Sequence, residues 1–166
     1  MRFEKVSYDT FVKSLKNEHF HFTMEELHNY YDRIELPKRA TANSAGYDFF
    51  CPVPVTVSPG QLRIVPTGIK CRLYESYYLE LFVRSSVGIR NGIVLANGTG
   101  IIDADYYNNP TNEGQMLMPL INLTGGCVQR FKVGDRIVQG VIGRFYRVTD
   151  DNTSTLRNGG VGSTNA

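Results

Sequence analysis

From Ala45 onward the chain breaks into short apolar runs separated by Pro or Gly signals such as Ser58-Pro59-Gly60. The runs are Ala45–Phe50, Val53–Val57, Leu62–Val65, Ile69–Leu73, Tyr77–Val83, Gly92–Ala96, Gly100–Ile102, Met116–Leu123, Val128–Phe131 and Ile137–Phe145. Segments this short with close turns predict strands, and about ten of them predict a mainly β domain: a sandwich, jelly roll or barrel. The 16 Gly and 7 Pro, set against 11% aromatic residues and no Trp, supply the turns that such a fold needs and argue against a helix bundle.

The first 36 residues follow another period. Tyr8, Phe11, Val12 and Leu15 fall at i, i+3, i+4 and i+7, a helical stripe. Thr23-Met24-Glu25-Glu26 reads as a capping box, and Leu27, Tyr30, Tyr31 and Ile34 continue a second stripe until Pro37 stops it. Two short helices are predicted on either side of Phe20-His21-Phe22. This divides the chain into a helical extension (1–36), a β domain (37–148) and a tail (149–166) rich in Asp, Asn, Ser, Thr and Gly, which on its own reads as a flexible arm.

The balance of 18 Lys+Arg against 16 Asp+Glu gives a net charge of +2, which does not fit a dedicated nucleic-acid binder. No apolar run reaches the ~18 residues that a membrane span needs, and Met1-Arg2-Phe3-Glu4-Lys5 lacks the core of a signal peptide. A soluble, cytoplasmic protein is expected, without membrane or nucleic-acid partners. Cys51, Cys71 and Cys127 are odd in number and form no C-x-x-C pair, so buried apolar thiols are expected. His19, His21 and His28, with Glu18, Glu25 and Glu26, form either a chance metal-like spacing or, preferably, a solvated polar stretch.

Four clusters could carry chemistry. Arg84-Ser85-Ser86-Val87-Gly88 can collect phosphate oxygens or be a turn. Asn97-Gly98-Thr99-Gly100-Ile101-Ile102-Asp103-Ala104-Asp105-Tyr106 reads as a hairpin leading into a carboxylate pair, a general base or a polar turn. In Gly134-Asp135-Arg136-Ile137-Val138-Gln139 the first charges could pair with each other, while Gln139 could donate to a ligand. Arg157-Asn158-Gly159-Gly160-Val161-Gly162-Ser163-Thr164 could wrap phosphates with backbone amides, or be a flexible tail; without a Walker Lys it is not a P-loop.

In order, with Ser44-Ala45-Gly46-Tyr47-Asp48 ahead of them, these clusters resemble the five ordered motifs of the trimeric all-β deoxyuridine triphosphatases (dUTPases), over about residues 37–166. The resemblance implies a jelly-roll-like β-barrel and a homotrimer with shared active sites that splits dUTP into dUMP and pyrophosphate. It implies Asp103 as the base for the attacking water, and uracil read by the Asn97–Asp103 segment, with Asn97, Gly100, Ile101 and Ile102 against the substrate. Tyr106 would lie under the deoxyribose and leave no room for a 2′-hydroxyl. Arg84, Ser85, Ser86 and Gln139 would hold phosphates, while Arg157, Val161, Gly162, Ser163 and Thr164 would close over the nucleotide from another subunit. Mg²⁺ would be carried by the triphosphate and waters, with Asp48 at most reaching it through a water.

Three departures stand out. Val161 occupies the place of a Phe that stacks on uracil in most members, a loss of ~1 kcal/mol of closure energy by analogy with aromatic pairs. Tyr107-Asn108-Asn109-Pro110 replaces a basic residue and Gly, with Asn able to take the left-handed turn; the connection Asn109–Glu113 is lengthened, as in a subset of bacterial and phage members. Arg157 is one residue nearer the Gly pair than in many relatives. The rival within the fold is dCTP deaminase, which would carry a Glu where Asp103 stands. A rival of another class is a protein-binding regulator that uses residues 1–36, with Phe20, Phe22, Tyr30 and Tyr31 as either a docking face or core residues.

Overall fold

The computed structural model describes residues 1–155 and 159. In chain order they form β1 (Arg2–Lys5), α1 (Tyr8–Asn17), α2 (Met24–Asp32), β2 (Lys38–Arg39), β3 (Gly46–Phe50), β4 (Val55–Val57), β5 (Leu62–Pro66), β6 (Ile69–Arg72) and β7 (Tyr77–Val83). There follow α3 (Ser85–Asn91), β8 (Ile93–Leu95), β9 (Gly100–Asp103), a 3-10 turn at Ala104–Tyr106, β10 (Leu117–Asn122), β11 (Gln129–Phe131) and β12 (Arg136–Arg144). Each of the ten apolar runs contains one strand, so the mainly β, jelly-roll-like architecture holds.

The strands pair antiparallel as β2-β3-β12-β7-β9, β5-β10-β8, β11-β4 and β1-β6. Alternation along β10 turns Met118 and Leu120 inward, where they join Val65, Ile93 and Leu95, together with Phe49, Leu79, Leu81 and Ile137 from the larger sheet, in one apolar cluster. Asn122 ends this inward row without an apolar group. Its Nδ2 donates to the carbonyls of Val57 (2.9 Å) and Cys127 (2.8 Å), and its Oδ1 accepts from the Thr124 amide, which satisfies a fully buried amide.

Both predicted helices are present. Ser7 caps α1, and Thr23 with Glu26 forms the full capping box on α2. The stripe residues Phe11, Val12, Leu15, Leu27 and Ile34 are buried, Phe20 with them, and Phe22, Tyr30 and Tyr31 pack partly buried against the same core. Gly68 makes this docking possible: it takes φ +72°, and a Cβ there would come 2.5 Å from Ile34 Cδ1 and 3.1 Å from Phe11 Cδ2.

Three features differ from expectation. β1 pairs with β6 from Arg2↔Arg72 to Lys5↔Ile69, in a stretch too short and too charged to announce a strand. A helix, α3, follows β7 where Ser85-Ser86 suggested a turn. Cys51 and Cys71 are buried, with burial pushing both thiols up to about 12, but Cys127 is exposed because it lies in the Gly125-Gly126 loop after β10.

Glu113 joins α1 to the connection between β9 and β10. It accepts from the Ser7 amide (3.1 Å), the Ser7 hydroxyl, Thr10 Oγ1 (2.6 Å) and Lys70 Nζ (3.1 Å). Burial raises its pKa, but these donors outweigh burial and hold it at about 2, below the ordinary 4.5. The stability that this carboxylate contributes is therefore complete above pH 4.5 and lost as pH falls toward 2. Thermal unfolding should show Glu113→Gln less stable than the parent at pH 6, with the gap closing between pH 4.5 and 2.

Candidate active site

β12 lies between β3 and β7, setting Gln139 opposite Asp48 on one side and Phe82 on the other. The β12–β3 register shifts between Arg136 and Val138, so that Arg136 rather than Ile137 stands opposite Phe50. This irregularity turns Arg136 onto the face of Asp48 and Gln139, which a regular strand would deny it. Asp48, only 5% exposed, then forms an ion pair with Arg84, whose Nε lies 2.9 Å from Oδ1, and accepts from Arg136 Nη1 (3.3 Å). The expected Asp135–Arg136 pair is thus replaced: Asp135 instead accepts from the Lys132 amide at 2.7 Å. Gly46 leaves room for this group, since a Cβ there would sit 2.6 Å from Gln139 Oε1.

Arg84 follows β7 and caps α3, whose first residues, Ser85 and Ser86, are exposed. Arg84, Arg136 and Gln139 thus gather around Asp48 at one end of the large sheet, with Ser85 and Ser86 next to Arg84 in the chain. One carboxylate against two guanidiniums leaves a net positive charge there, suited to an anion such as a phosphate.

The second group runs along β7, from Gly100 opposite Leu81 to Asp103 opposite Tyr78. Segment 96–99 does not join a hairpin, because β8 pairs with β10 while β9 pairs with β7. It instead carries the chain from one sheet to the other, with Gly98 at φ +72°. Asn97 and Ile101 are exposed, Gly100 is buried against Leu81, and Ile102 and Asp103 are half-buried. Asp103 ends β9 and, with Ala104 and Asp105, lines a cavity of about 580 Å³ whose other wall includes Phe145, Arg147 and Asp151. That volume suits a small organic ligand. Tyr106 is buried, its Oη donating to the Gln115 carbonyl (3.0 Å) and accepting from Asn112 Nδ2 (2.7 Å). Asn108 does adopt the left-handed conformation, at φ 57°.

The β7–β9 register separates the two groups. Asp103 stands opposite Tyr78, six residues before Arg84. At ~3.3 Å per strand residue that is roughly 20 Å. A water-activating base and a phosphate-holding Arg that serve one triphosphate must lie much closer. Arg157, Val161, Gly162, Ser163 and Thr164 lie outside the described residues. Among the described residues no group of three or more His, Cys, Asp or Glu could hold a metal ion, and Asp48 is engaged by two guanidiniums.

A jelly-roll-like β fold with a guanidinium cluster at one end of a strand and an Asp-bearing cavity at the other fits the class of all-β nucleotide hydrolases, although Asn97, Gly100, Ile101, Ile102 and Tyr106 do not line that cavity. The dUTPase family model matches residues 32–165, and the chain belongs to the dUTPase family. It is 43% identical over 135 residues to the deoxyuridine 5′-triphosphate nucleotidohydrolase of Lactococcus lactis subsp. lactis, covering 80% of this chain and 89% of that one. The crystal structure of dUTPase from Streptococcus mutans superposes with a TM-score of 0.69 at 36% identity, covering 89% of this chain and 98% of the other. A mutant dUTPase from phage phi11 of S. aureus, whose structure describes coordination of a structural Mg(II) ion, shares the fold at 20% identity with a TM-score of 0.60, covering 73% and 90%.

Sequence reasoning missed Arg136 as a partner of Asp48, because only the register shift brings them together. Asp48→Asn should keep the fold but lower stability by ~1–2 kcal/mol, the lower part of the range for a buried charged hydrogen bond because both guanidiniums are partly exposed. Urea unfolding at pH 7 measures it; an unchanged midpoint would show that the cluster contributes nothing to stability.

Proposed function

We propose that the chain hydrolyses dUTP to dUMP and pyrophosphate. The observation that carries this reading is the placement of Asp103 at the end of β9, lining a cavity of about 580 Å³, in a chain of the dUTPase family. Asp103 orients a water and takes its proton as the water oxygen attacks the α-phosphorus in line; the bond to the bridging oxygen breaks and pyrophosphate leaves. Asp is a weak base, so positioning contributes more than basicity. Segment 97–103 reads uracil, Asn97, Gly100, Ile101 and Ile102 lying against the base, and Tyr106 lies under the deoxyribose. Arg84, Ser85, Ser86 and Gln139 hold the phosphates; Arg157, Val161, Gly162, Ser163 and Thr164 close the site.

The ~20 Å between Asp103 and Arg84 along β7 supports a site built from more than one copy of the chain, Asp103 of one meeting Arg84 and Gln139 of another. A homotrimer with three shared sites satisfies this and supplies the closing arm from the third copy. Mg²⁺ fits the same reading: with Asp48 occupied, the ion is held by the triphosphate and waters, in keeping with its reluctance to lose water ligands, and when bound it neutralises phosphate charge. A cytoplasmic location belongs to the same reading; no helix among the described residues is long and apolar enough to cross a membrane.

Two variants test the reading together. Asp103→Asn and Arg84→Ala should each lose at least ~100-fold in turnover of dUTP, while Asp103→Asn still binds the nucleotide. Unfolded together and refolded as a 1:1 mixture, they should regain activity toward about a quarter of the parent's, because random assortment returns intact sites when base and Arg come from different copies. Pyrophosphate release is the assay. No recovery would reject the shared site, and full activity of Asp103→Asn would reject the base.

A further inference from the structure

Tyr106 is held from behind by residues outside the five motifs. Its Oη donates to the Gln115 carbonyl (3.0 Å) and accepts from Asn112 Nδ2 (2.7 Å), which also donates to the Gln115 carbonyl at 3.3 Å. The Gln115 side chain is fully buried and has two partners: Oε1 accepts from the Gly68 amide (2.9 Å), and Nε2 donates to Ser14 Oγ of α1 (2.6 Å). A continuous chain of hydrogen bonds thus runs from the amino-terminal helix through Gln115 to the phenol of Tyr106. Two further ties join the same segments, the Glu113 cluster on Ser7 and Thr10 and the bond from Tyr107 Oη to Glu4 Oε2 (2.7 Å).

The held loop contains strained positions. Asn108, Glu113 and Gly114 all take positive φ (57°, 58° and 81°), and a Cβ at Gly114 would sit 2.5 Å from the Tyr106 carbonyl oxygen. Left-handed non-Gly residues persist where surrounding contacts over-determine them. Here those contacts come from within the loop, where Asn108 N donates to the Glu113 carbonyl and Gly114 N to Asn112 Oδ1, from Lys70 of β6 on Asn108 and Glu113, and from Ser7 and Thr10 at the start of α1 on Glu113.

We propose that Ser14 and Gln115 are positioning residues for Tyr106, and that through them the amino-terminal segment sets discrimination against a 2′-hydroxyl. The inference rests on the reading that Tyr106 lies under the deoxyribose. A ring fixed at its phenol end cannot recede from the sugar; releasing one anchor lets it yield to the extra oxygen of a ribonucleotide. The effect falls on substrate choice rather than on the attack at phosphorus, because neither residue touches the reacting atoms.

The test uses the full chain, with kcat/KM measured for dUTP and for UTP and the unfolding temperature recorded alongside. Ser14→Ala should reduce the dUTP-over-UTP preference about tenfold, the worth of one buried hydrogen bond, mainly by raising kcat/KM for UTP. Ser14→Thr keeps the hydroxyl and should restore the preference. Asn112→Ser removes the donor to the phenol, should act in the same direction, and carries the test if Ser14→Ala does not fold. Val55→Ala serves as a control that loosens the core at β4, which pairs with β11 and takes no part in this network. A parent-like preference in folded Ser14→Ala and Asn112→Ser overturns the proposal, as does an equal loss in Val55→Ala. A parent chain that does not cleave dUTP, or cleaves UTP equally, overturns the reading of the site and the proposal with it; a selective parent with unmoved variants overturns the proposal alone.

Discussion

The pairing of β12 with β3 on one side and β7 on the other is the constraint on which the site depends. Seven consecutive registers, Val138↔Val83 to Arg144↔Tyr77, fix β12 against β7, and β9 is fixed in turn against β7. A slip of one residue would carry Gln139 to the other face, away from Asp48. Close packing guards against that slip. A Cβ at Gly140 would come 2.9 Å from Phe49 Cε2 and 3.0 Å from Leu79 Cδ1, and one at Gly143 would collide with the Tyr78 ring at 2.6 Å. The sheet therefore acts as a ruler, with the guanidinium cluster at one end and Asp103 at the other. On the proposed reading, a second copy of the chain brings these separated groups together.

The amino-terminal segment takes its place in this scheme through burial. Phe11 and Leu15 are fully buried against the β domain, and β1 covers one edge of β6. Edge strands left open are sites of unwanted pairing, so β1 also protects the chain from association through β6. Apolar burial holds the helix, and the polar ties at Glu4, Ser7, Thr10 and Ser14 then set its register against the loop after Tyr106. Burial is non-directional and cannot select one loop conformation; hydrogen bonds with fixed geometry can.

What the sequence makes legible follows range. Local periodicity located ten strands and both amino-terminal helices, because strand and helix periods and the Thr23–Glu26 capping box are written within a few residues. β1 was illegible: Arg2-Phe3-Glu4-Lys5 has a single apolar residue, and its strand state comes from pairing with residues about 66 positions away. The apparent hairpin at 97–103 failed for a related reason. Turn residues mark where a chain bends but not which sheet receives each side, and here the bend crosses between sheets. The site motifs were readable as an ordered set, whereas the Asp48–Arg136 pair depends on a register shift that no local pattern records.

The same pair bears on why the site takes this form. A carboxylate as buried as Asp48 loses hydration on folding, and two partners that are themselves partly exposed return only part of it, so stability alone is a weak reason for the arrangement. What it provides is orientation. Arg84 is paired with Asp48 through Nε, and Arg136 is held on the same face as Gln139. Donors fixed before an anion arrives need no reorganisation when it binds, and that saving is the larger part of what electrostatic groups contribute at such sites. On the proposed reading, a chain with a net charge of only +2 holds a highly charged ligand through this cluster. The positive charge it needs is concentrated around one buried carboxylate and aimed by it.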